Sequence, residues 1–499
     1  MKKWTLHRIH KWLGLFAALW LTVLGITGLL LDHRDTWAWL WQSGLNPTVL
    51  PENIRERARS APFKIYQVNP QLDDCHITGG QHGTWGSRDG GKIWNRTDFI
   101  GRTEQPQLYA AQFIGKEPDA VLWLATDSGM WRSDDCGLTA ARSVLNGQRV
   151  TDLALGSEAS ELIGVVNRSQ LFRFDAIDGH VVFIDPVAPD QKQLPDSITL
   201  SRFVRDLHYG RGVFTAPFSL WWSDAAGVAM FLIPLSGVLF FFLPKYWRKK
   251  KRQGITVGRQ HKKQTIRWLF RLHAPLLGLV TFIPIIYLSI TGIFLDHNDA
   301  LIGWMKQTTI SRPWQPPVYT LRSLDQEIYS VTAYPDQAQH LSIGTRLGMF
   351  TSKDNGETWI RERFPEGRSW FVWSLTRSDA GLFLGGMGGP NLYREDHTSA
   401  WRVVSGAGHM PSDAVWLDDQ TWLILNRDGL RKGTIGGSFE RVSPHFPDLK
   451  YVPWYYIVDG LHSGVLIHKQ WKWVNDLFAI LAIILVVTGL MRWWRKKWI

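Results

Sequence analysis

A chain of 499 residues with 45% hydrophobic residues, 20% charged residues and a mean hydropathy of −0.13 is too polar for a pure bundle of membrane helices and long enough for more than one domain. Its net charge of +12 would suit nucleic acid, but the cations gather beside apolar runs (Lys2-Lys3, 245–252, Lys262-Lys263, 492–497), which argues for a lipid bilayer and against nucleic acid as the partner. Two cysteines and no Cys-x-x-Cys argue against a thiolate-built zinc or iron–sulfur site.

In chain order, residues 1–33 hold the first apolar run, 12–31, about 20 residues and long enough to span. Its basic start (Lys2, Lys3, Arg8, Lys11) also suits a cleavable signal peptide, but no small-residue cleavage site follows, so the reading is an uncleaved anchor with its N-terminus inside. Residues 34–213 are mixed, rich in Gly, Asp and short β-type pieces. A second span lies in 214–244, its run at 225–243 preceded by Trp221-Trp222 and ended by Pro244 and a basic cluster. Residues 245–267 read as a basic cytoplasmic linker and 268–298 as a third span with its run at 276–295. Residues 299–456 form a second water-facing segment, and 457–499 a fourth span (474–490) with a basic tail. Cationic flanks are poorly translocated, so both termini are expected in the cytoplasm and both β segments outside it. Many of the 28 tryptophans lie at the ends of the runs, as an interfacial belt requires. Cys75 and Cys136 both lie in the first outer segment, where a disulfide or two buried thiols are open readings.

The two halves repeat each other. His10 … Gly14 … Thr27-Gly28 … Asp32-His33 is written again as His273 … Gly278 … Thr291-Gly292 … Asp296-His297. Asp206-Leu-His208 echoes Asp459-Gly-Leu-His462, and Asp224 echoes Asp476. A duplicated helix–domain–helix unit of constant orientation has its pseudo-two-fold axis along the membrane normal.

A second repeat, Gly-x-aromatic-x-Ser-x-Asp-x-Gly, occurs at 83–91, 129–137 and 348–356. It resembles the Asp-box (BNR) hairpin of sialidase-like β-propellers: the Asp accepts backbone N–H groups within the turn and the Gly takes a positive φ. Units of about 40 residues fit four-stranded blades, about three in each segment. Three blades leave open edges. One composite propeller of about six blades over a four-span helical bundle is therefore the expected fold, with two separate small β domains as the alternative. Asp-boxes are structural and do not make a glycosidase, which needs paired carboxylates in one pocket.

Of 16 histidines, six fall at matched positions: His10/His273, His33/His297 and His208/His462. His10 and His33 are 23 residues apart, about 34 Å along a helix, so they lie at opposite faces of a bilayer and cannot share one metal. Haem iron takes axial imidazoles from facing helices. That suggests an inner haem on His10 and His273, and one or two more on the outer four, His33, His208, His297 and His462. One to three haems b are thus expected. No Cys-x-x-Cys-His occurs, so covalent attachment by the usual motif is excluded. His7 is a backup ligand on the His10 face. Asp224 and Asp476, at the outer ends of their spans, suit a proton relay or a hydrogen bond to a histidine; solvated positions above the hydrocarbon are the alternative.

The stretch Leu6-His-Arg-Ile-His10-Lys-Trp-Leu-Gly14, the Thr-Gly pairs at 27–28 and 291–292, Leu272-His273 and the elements at His208 and His462 resemble the PepSY-associated transmembrane family. The resemblance implies an iron-regulated protein of the bacterial inner membrane, and in some members a haem-containing ferric-siderophore reductase. It makes His10, His208, His273 and His462 the leading haem ligands, while His33 and His297 rest on the internal symmetry. The outer segments depart from the family, with Asp-box blades in place of its usual α+β domains. The expected function is electron transfer through haem to a periplasmic acceptor such as a ferric siderophore. No Gly-x-Gly-x-x-Gly follows a strand, so the donor is separate, quinol or a cytoplasmic reductase. The alternative is a non-enzymatic, membrane-anchored propeller that binds a protein or assists assembly of a membrane complex.

Overall fold

The computed structural model describes residues 3–497 except 34–35, 38, 61–62, 116–119, 216–217, 256–257, 336, 366–368, 398, 419, 427 and 443–445. Among the described residues, three helices are long and apolar enough to cross a membrane: Leu6–Asp32, Phe218–Arg252 and Lys472–Trp494. The remaining apolar run, expected as one helix over 276–295, is instead two helices, Arg259–Gly278 and Phe282–Asp296, meeting at 63°.

The reason is legible in the spacing. Gly14 follows His10 by four residues, whereas Gly278 follows His273 by five. The extra residue falls in a π-helical turn, Leu272–Gly278, whose wider bonding pattern absorbs it. The backbone N–H of Leu279 bonds to the carbonyl of Ala274, and the break follows at Thr281 (φ −106°, ψ 7°). His273 lies in this turn, with its ring centre 6.2 Å from that of His10.

The first long helix packs along Phe218–Arg252, with Gly25 and Gly227 at the crossing. A Cβ on Gly25 would lie 2.7 Å from the carbonyl oxygen of Gly227, so only glycine permits this approach. The helix Lys472–Lys497 packs on both Phe282–Asp296 and the first helix. Small and apolar side chains (Ala17, Leu21, Ala226, Ala229, Phe478, Ala482) fill the shared core.

The rest is β structure. Among the described residues there are six antiparallel sheets of four strands, begun by Phe63–Asn69, Leu108–Ile114, Val150–Leu155, Ile328–Tyr334, Phe371–Ser378 and Asp413–Trp416; the second sheet gains a fifth, parallel strand from Asp98–Phe99. Three sheets come from each half. The first strand of each packs on the first strand of the next, and that of the sixth packs back on that of the first.

Two matched carboxyls close the seams between halves. Asp152, in the third sheet, accepts the backbone N–H of Val331 in the fourth at 2.7 Å. Asp413, in the sixth, accepts the N–H of Tyr66 in the first at 2.9 Å and both its oxygens accept from the Gln67 amide. Burial pushes Asp152 up to about 8 and Asp413 up to about 7. Two short ribbons also join the halves, Gly44–Leu45 with Val452–Pro453 and Ser197–Thr199 with Thr309–Ser311.

All three Asp-boxes adopt one geometry. The Ser352 hydroxyl donates to Asp354 at 2.7 Å and accepts the N–H of Gly356 at 2.7 Å, while Asp354 accepts the N–H of Thr358 at 2.9 Å. Asp135 and Asp89 repeat this with Thr139 and Ile93. Gly91, Gly137 and Gly356 take φ of 81°, 73° and 90°. The Thr358 hydroxyl and N–H bonds hold Asp354 down at about 2. Cys75 and Cys136 are joined as a disulfide, stapling the first sheet to the Asp-box turn of the second.

Candidate functional site

Four of the six matched histidines meet in two facing pairs. The rings of His10 and His273 have centres 6.2 Å apart, and those of His208 and His462 are 6.3 Å apart. His10 is on the first helix and His273 in the π turn, while His208 and His462 end the short helices Leu200–His208 and Trp454–His462.

Each ring is keyed by a hydroxyl. His10 Nδ1 lies 2.9 Å from Thr488 Oγ1, and His273 Nδ1 lies 2.8 Å from Ser236 Oγ. His462 Nδ1 lies 2.8 Å from Thr27 Oγ1, and His208 Nδ1 lies 3.1 Å from Thr291 Oγ1. In every case the hydroxyl comes from the opposite half of the duplication. A hydroxyl has one proton to give. All four give it to a carbonyl of their own helix: Thr27 to Val23, Ser236 to Ile233, Thr291 to Tyr287 and Thr488 to Ile484, at 2.7–2.8 Å. Each oxygen must therefore accept from the imidazole, which puts the ring proton on Nδ1 and leaves the Nε2 lone pair as the coordinating group.

A glycine follows every one of these hydroxyls. A Cβ on Gly28, Gly237, Gly292 or Gly489 would stand 3.5, 3.7, 3.4 and 3.3 Å from Cε1 of the neighbouring histidine. The bare backbone lets each ring come close to its partner helix. Sequence reasoning singles out Thr27-Gly28 and Thr291-Gly292 but misses Ser236-Gly237 and Thr488-Gly489. The signal is present, because these two follow Asp224 and Asp476 at the same separation and copy the hydroxyl–glycine pattern.

The spacing fits haem. Two imidazoles sharing one iron, with metal–nitrogen bonds of about 2 Å and about 1.1 Å from nitrogen to ring centre, place their centres about 6.3 Å apart. Among the described residues no group of three or more His, Cys, Asp or Glu side chains could hold a metal ion, and each pair offers two imidazoles. The His10/His273 pair opens on a cavity of about 840 Å³, large enough for such a group.

His33 and His297 are placed differently from the outer-ligand reading. His33 Nε2 is 2.9 Å from Asp224, and His297 Nε2 is 2.6 Å from Asp476. Both carboxylates thus meet a histidine, one of the readings the sequence left open for them. His7 lines the same cavity as His10 and His273.

The family profile described as the PepSY-associated TM region matches residues 7–496. No curated protein matches the chain. Similar solved structures include an ancestral GH74 enzyme (10% identity, TM-score 0.36, 81% of this chain and 40% of that one). Others are the extracellular domain of a hybrid two component system from B. thetaiotaomicron (10%, 0.37, 79% and 34%) and YCF48 from Cyanidioschyzon merolae (12%, 0.34, 75% and 96%). The chain spans less than half the length of the first two. None of these likenesses bears on activity.

Proposed function

The chain belongs to the PepSY-associated TM family, and from that membership we propose that this membrane protein carries haem and transfers electrons across the bacterial inner membrane. The observation that carries the reading is the pair of facing, hydroxyl-keyed histidine couples. His10 and His273 would hold one haem b near the basic end of the bundle, and His208 and His462 a second near the β end. When bound, haem supplies an iron that takes up and releases one electron.

The chain's own groups do the rest. Ser236, Thr488, Thr27 and Thr291 hold the Nδ1 protons and so fix ring orientation and basicity. The glycines beside them admit the macrocycle. His33 with Asp224, and His297 with Asp476, hold protons at the β end, where an acceptor is reduced. The bent pair Arg259–Gly278 and Phe282–Asp296 counts in this reading as a fourth span, which puts both termini and residues 245–267 in the cytoplasm. The six sheets then form one composite propeller in the periplasm, three blades from each half, closed at Asp152 and Asp413. Electrons come from quinol or a cytoplasmic reductase and leave to a periplasmic acceptor, for which a ferric siderophore is the best-suited class.

A visible spectrum of the detergent-purified protein, with and without dithionite, tests this. A Soret band and a reduced α-band of b type are expected. Their absence would overturn the redox reading and leave a membrane-anchored propeller that binds a protein partner. Replacing His10 and His273 should remove one fraction of the absorbance, and replacing His208 and His462 the other. A phosphatase-fusion scan must report 245–267 as cytoplasmic.

A further inference from the structure

The basic end of the bundle has no carboxylate of its own. Residues 1–31, 225–295 and 477–499 contain neither Asp nor Glu. These three stretches build the cavity beside His10 and His273, and among the described residues none that lines it is acidic. Six Lys and Arg side chains line it: Lys11, Lys245, Arg248, Arg267, Arg271 and Arg492. The first five are exposed around the mouth, and Arg492 is half-buried, one turn beyond Thr488-Gly489 and within electrostatic reach of both rings. The remaining wall is apolar (Leu15, Met230, Ile233, Phe240, Leu485).

Charge-flanked spans need cations at their cytoplasmic ends, but that need is met on the outer surface of the helices. It does not require six cations around one cavity, and a half-buried guanidinium in a carboxylate-free stretch of its own chain is costly. Lys11 and Lys245 find partial compensation over the face of Phe241, at 5.0 and 3.7 Å. The three stretches offer the arginines no acidic side chain to play that part. For half-buried Arg492 in particular, an anion in the cavity would supply the charge that these stretches do not.

We infer that the cavity binds an amphipathic anion, with an apolar body between the histidine rings and the Leu/Ile/Phe wall and acidic groups, carboxylate or phosphate, received by Arg267, Arg271 and Arg492. Two sources share this chemistry. One is the carboxylate pair of a haem held by His10 and His273, in which case the inference rests on the haem reading and adds the haem's orientation, acidic edge toward the basic face. The other is the headgroup phosphate of an anionic phospholipid. Planar guanidinium forks suit either oxyanion bidentately, which an ammonium does not.

The test compares wild type, Arg267→Gln/Arg271→Gln and Arg492→Gln, purified in neutral detergent, by two measurements. A redox titration followed in the visible range reads the haem arm. The fraction lost in His10 and His273 variants should be retained about tenfold more weakly, or its midpoint potential should fall, because positive charge that favours the reduced form has been removed; the other fraction should not move. Mass spectrometry of co-purified phospholipid reads the lipid arm, with a severalfold loss of phosphatidylglycerol or cardiolipin per protein expected if the occupant is lipid. The Arg→Lys variants keep the charge without the fork and should fall between wild type and the Gln variants, whereas misfolding would lose both haem fractions alike. Unchanged haem retention, potential and phospholipid content in the Gln variants would overturn the inference. Absence of any Soret band would defeat the haem reading alone, and the phospholipid measurement would still decide this one.

Discussion

The two ends of the helical bundle use one device in different surroundings. At both, a histidine faces a histidine, each ring is keyed by a hydroxyl of the other half, and a glycine lies beside the key. At the basic end the pair opens on a cavity whose lining, among the described residues, holds no carboxylate. At the β end two more histidines stand on Asp224 and Asp476. What the ends share is what an axial ligand pair needs, and what they do not share is how charge is balanced. The chain supplies carboxylates beside the histidines at the β end and, among the described residues lining the cavity, none at the basic end. The comparison also separates histidines by partner: a hydroxyl that must accept leaves Nε2 to ligate, and a carboxylate at Nε2 removes it from ligation.

The sharpest way to break the comparison is to fill one glycine. Gly489→Val puts branched carbon where a Cβ already comes within 3.3 Å of His10, and Gly28→Val does so within 3.5 Å of His462. Each should abolish the haem absorbance of its own end and spare the other, read against the corresponding histidine variants; equal loss at both ends would show the ends to be one site. Next in size are Thr488→Ala and Ser236→Ala. Without the acceptor the ring proton is no longer held at Nδ1, and haem retention at the basic end should weaken about 10–100-fold, as loss of a ligand's supporting hydrogen bond does. Retention measured against apomyoglobin as a scavenger would show it.

Asp224→Asn and Asp476→Asn should leave both haem fractions and their spectra in place, since neither carboxylate supports a facing pair. The expected change is in the pH profile of acceptor reduction, followed by stopped-flow reoxidation. Loss of the β-end haem in either variant would return His33 or His297 to the ligand set.

The smallest effect extends the two-fold comparison above the bundle. Asp152 and Asp413 are raised to about 8 and about 7 by burial, against about 4 in an unfolded chain. Between those values the folded state binds more protons than the unfolded state, so stability falls as pH rises from about 4 through about 8. Thermal unfolding followed by tryptophan fluorescence should therefore shift to lower temperature between pH 5.5 and 8.5. Asp152→Asn/Asp413→Asn keeps one oxygen for the backbone N–H of Val331 and one for that of Tyr66, and should flatten that slope. An unchanged slope would place the titrating groups elsewhere.

Features built from neighbours along the chain are legible in the residue order. The Asp-box is one: its bonds run from Ser352 to Asp354 and from Asp354 to Thr358, so a short local pattern dictates them. The duplication and the apolar runs are others, because hydrophobic length is a property of one segment. Even the π turn is written as five residues from His273 to Gly278 where the first half has four. The pairing of histidines is of another kind. His10 meets Thr488, His462 meets Thr27, and His33 meets Asp224, contacts 478, 435 and 191 residues apart. Helical periodicity tells which face a histidine occupies and how deep it lies, but not which helix comes to stand against that face. That was decided by packing: by the glycine crossing of Gly25 on Gly227, by Phe478 and Ala482 settling against Ala17 and Leu21, and by the one-residue π turn that brings His273 level with His10. The sequence by itself determined six candidate histidines and their depth. Only the tertiary structure divided them into four that face one another and two that face carboxylates.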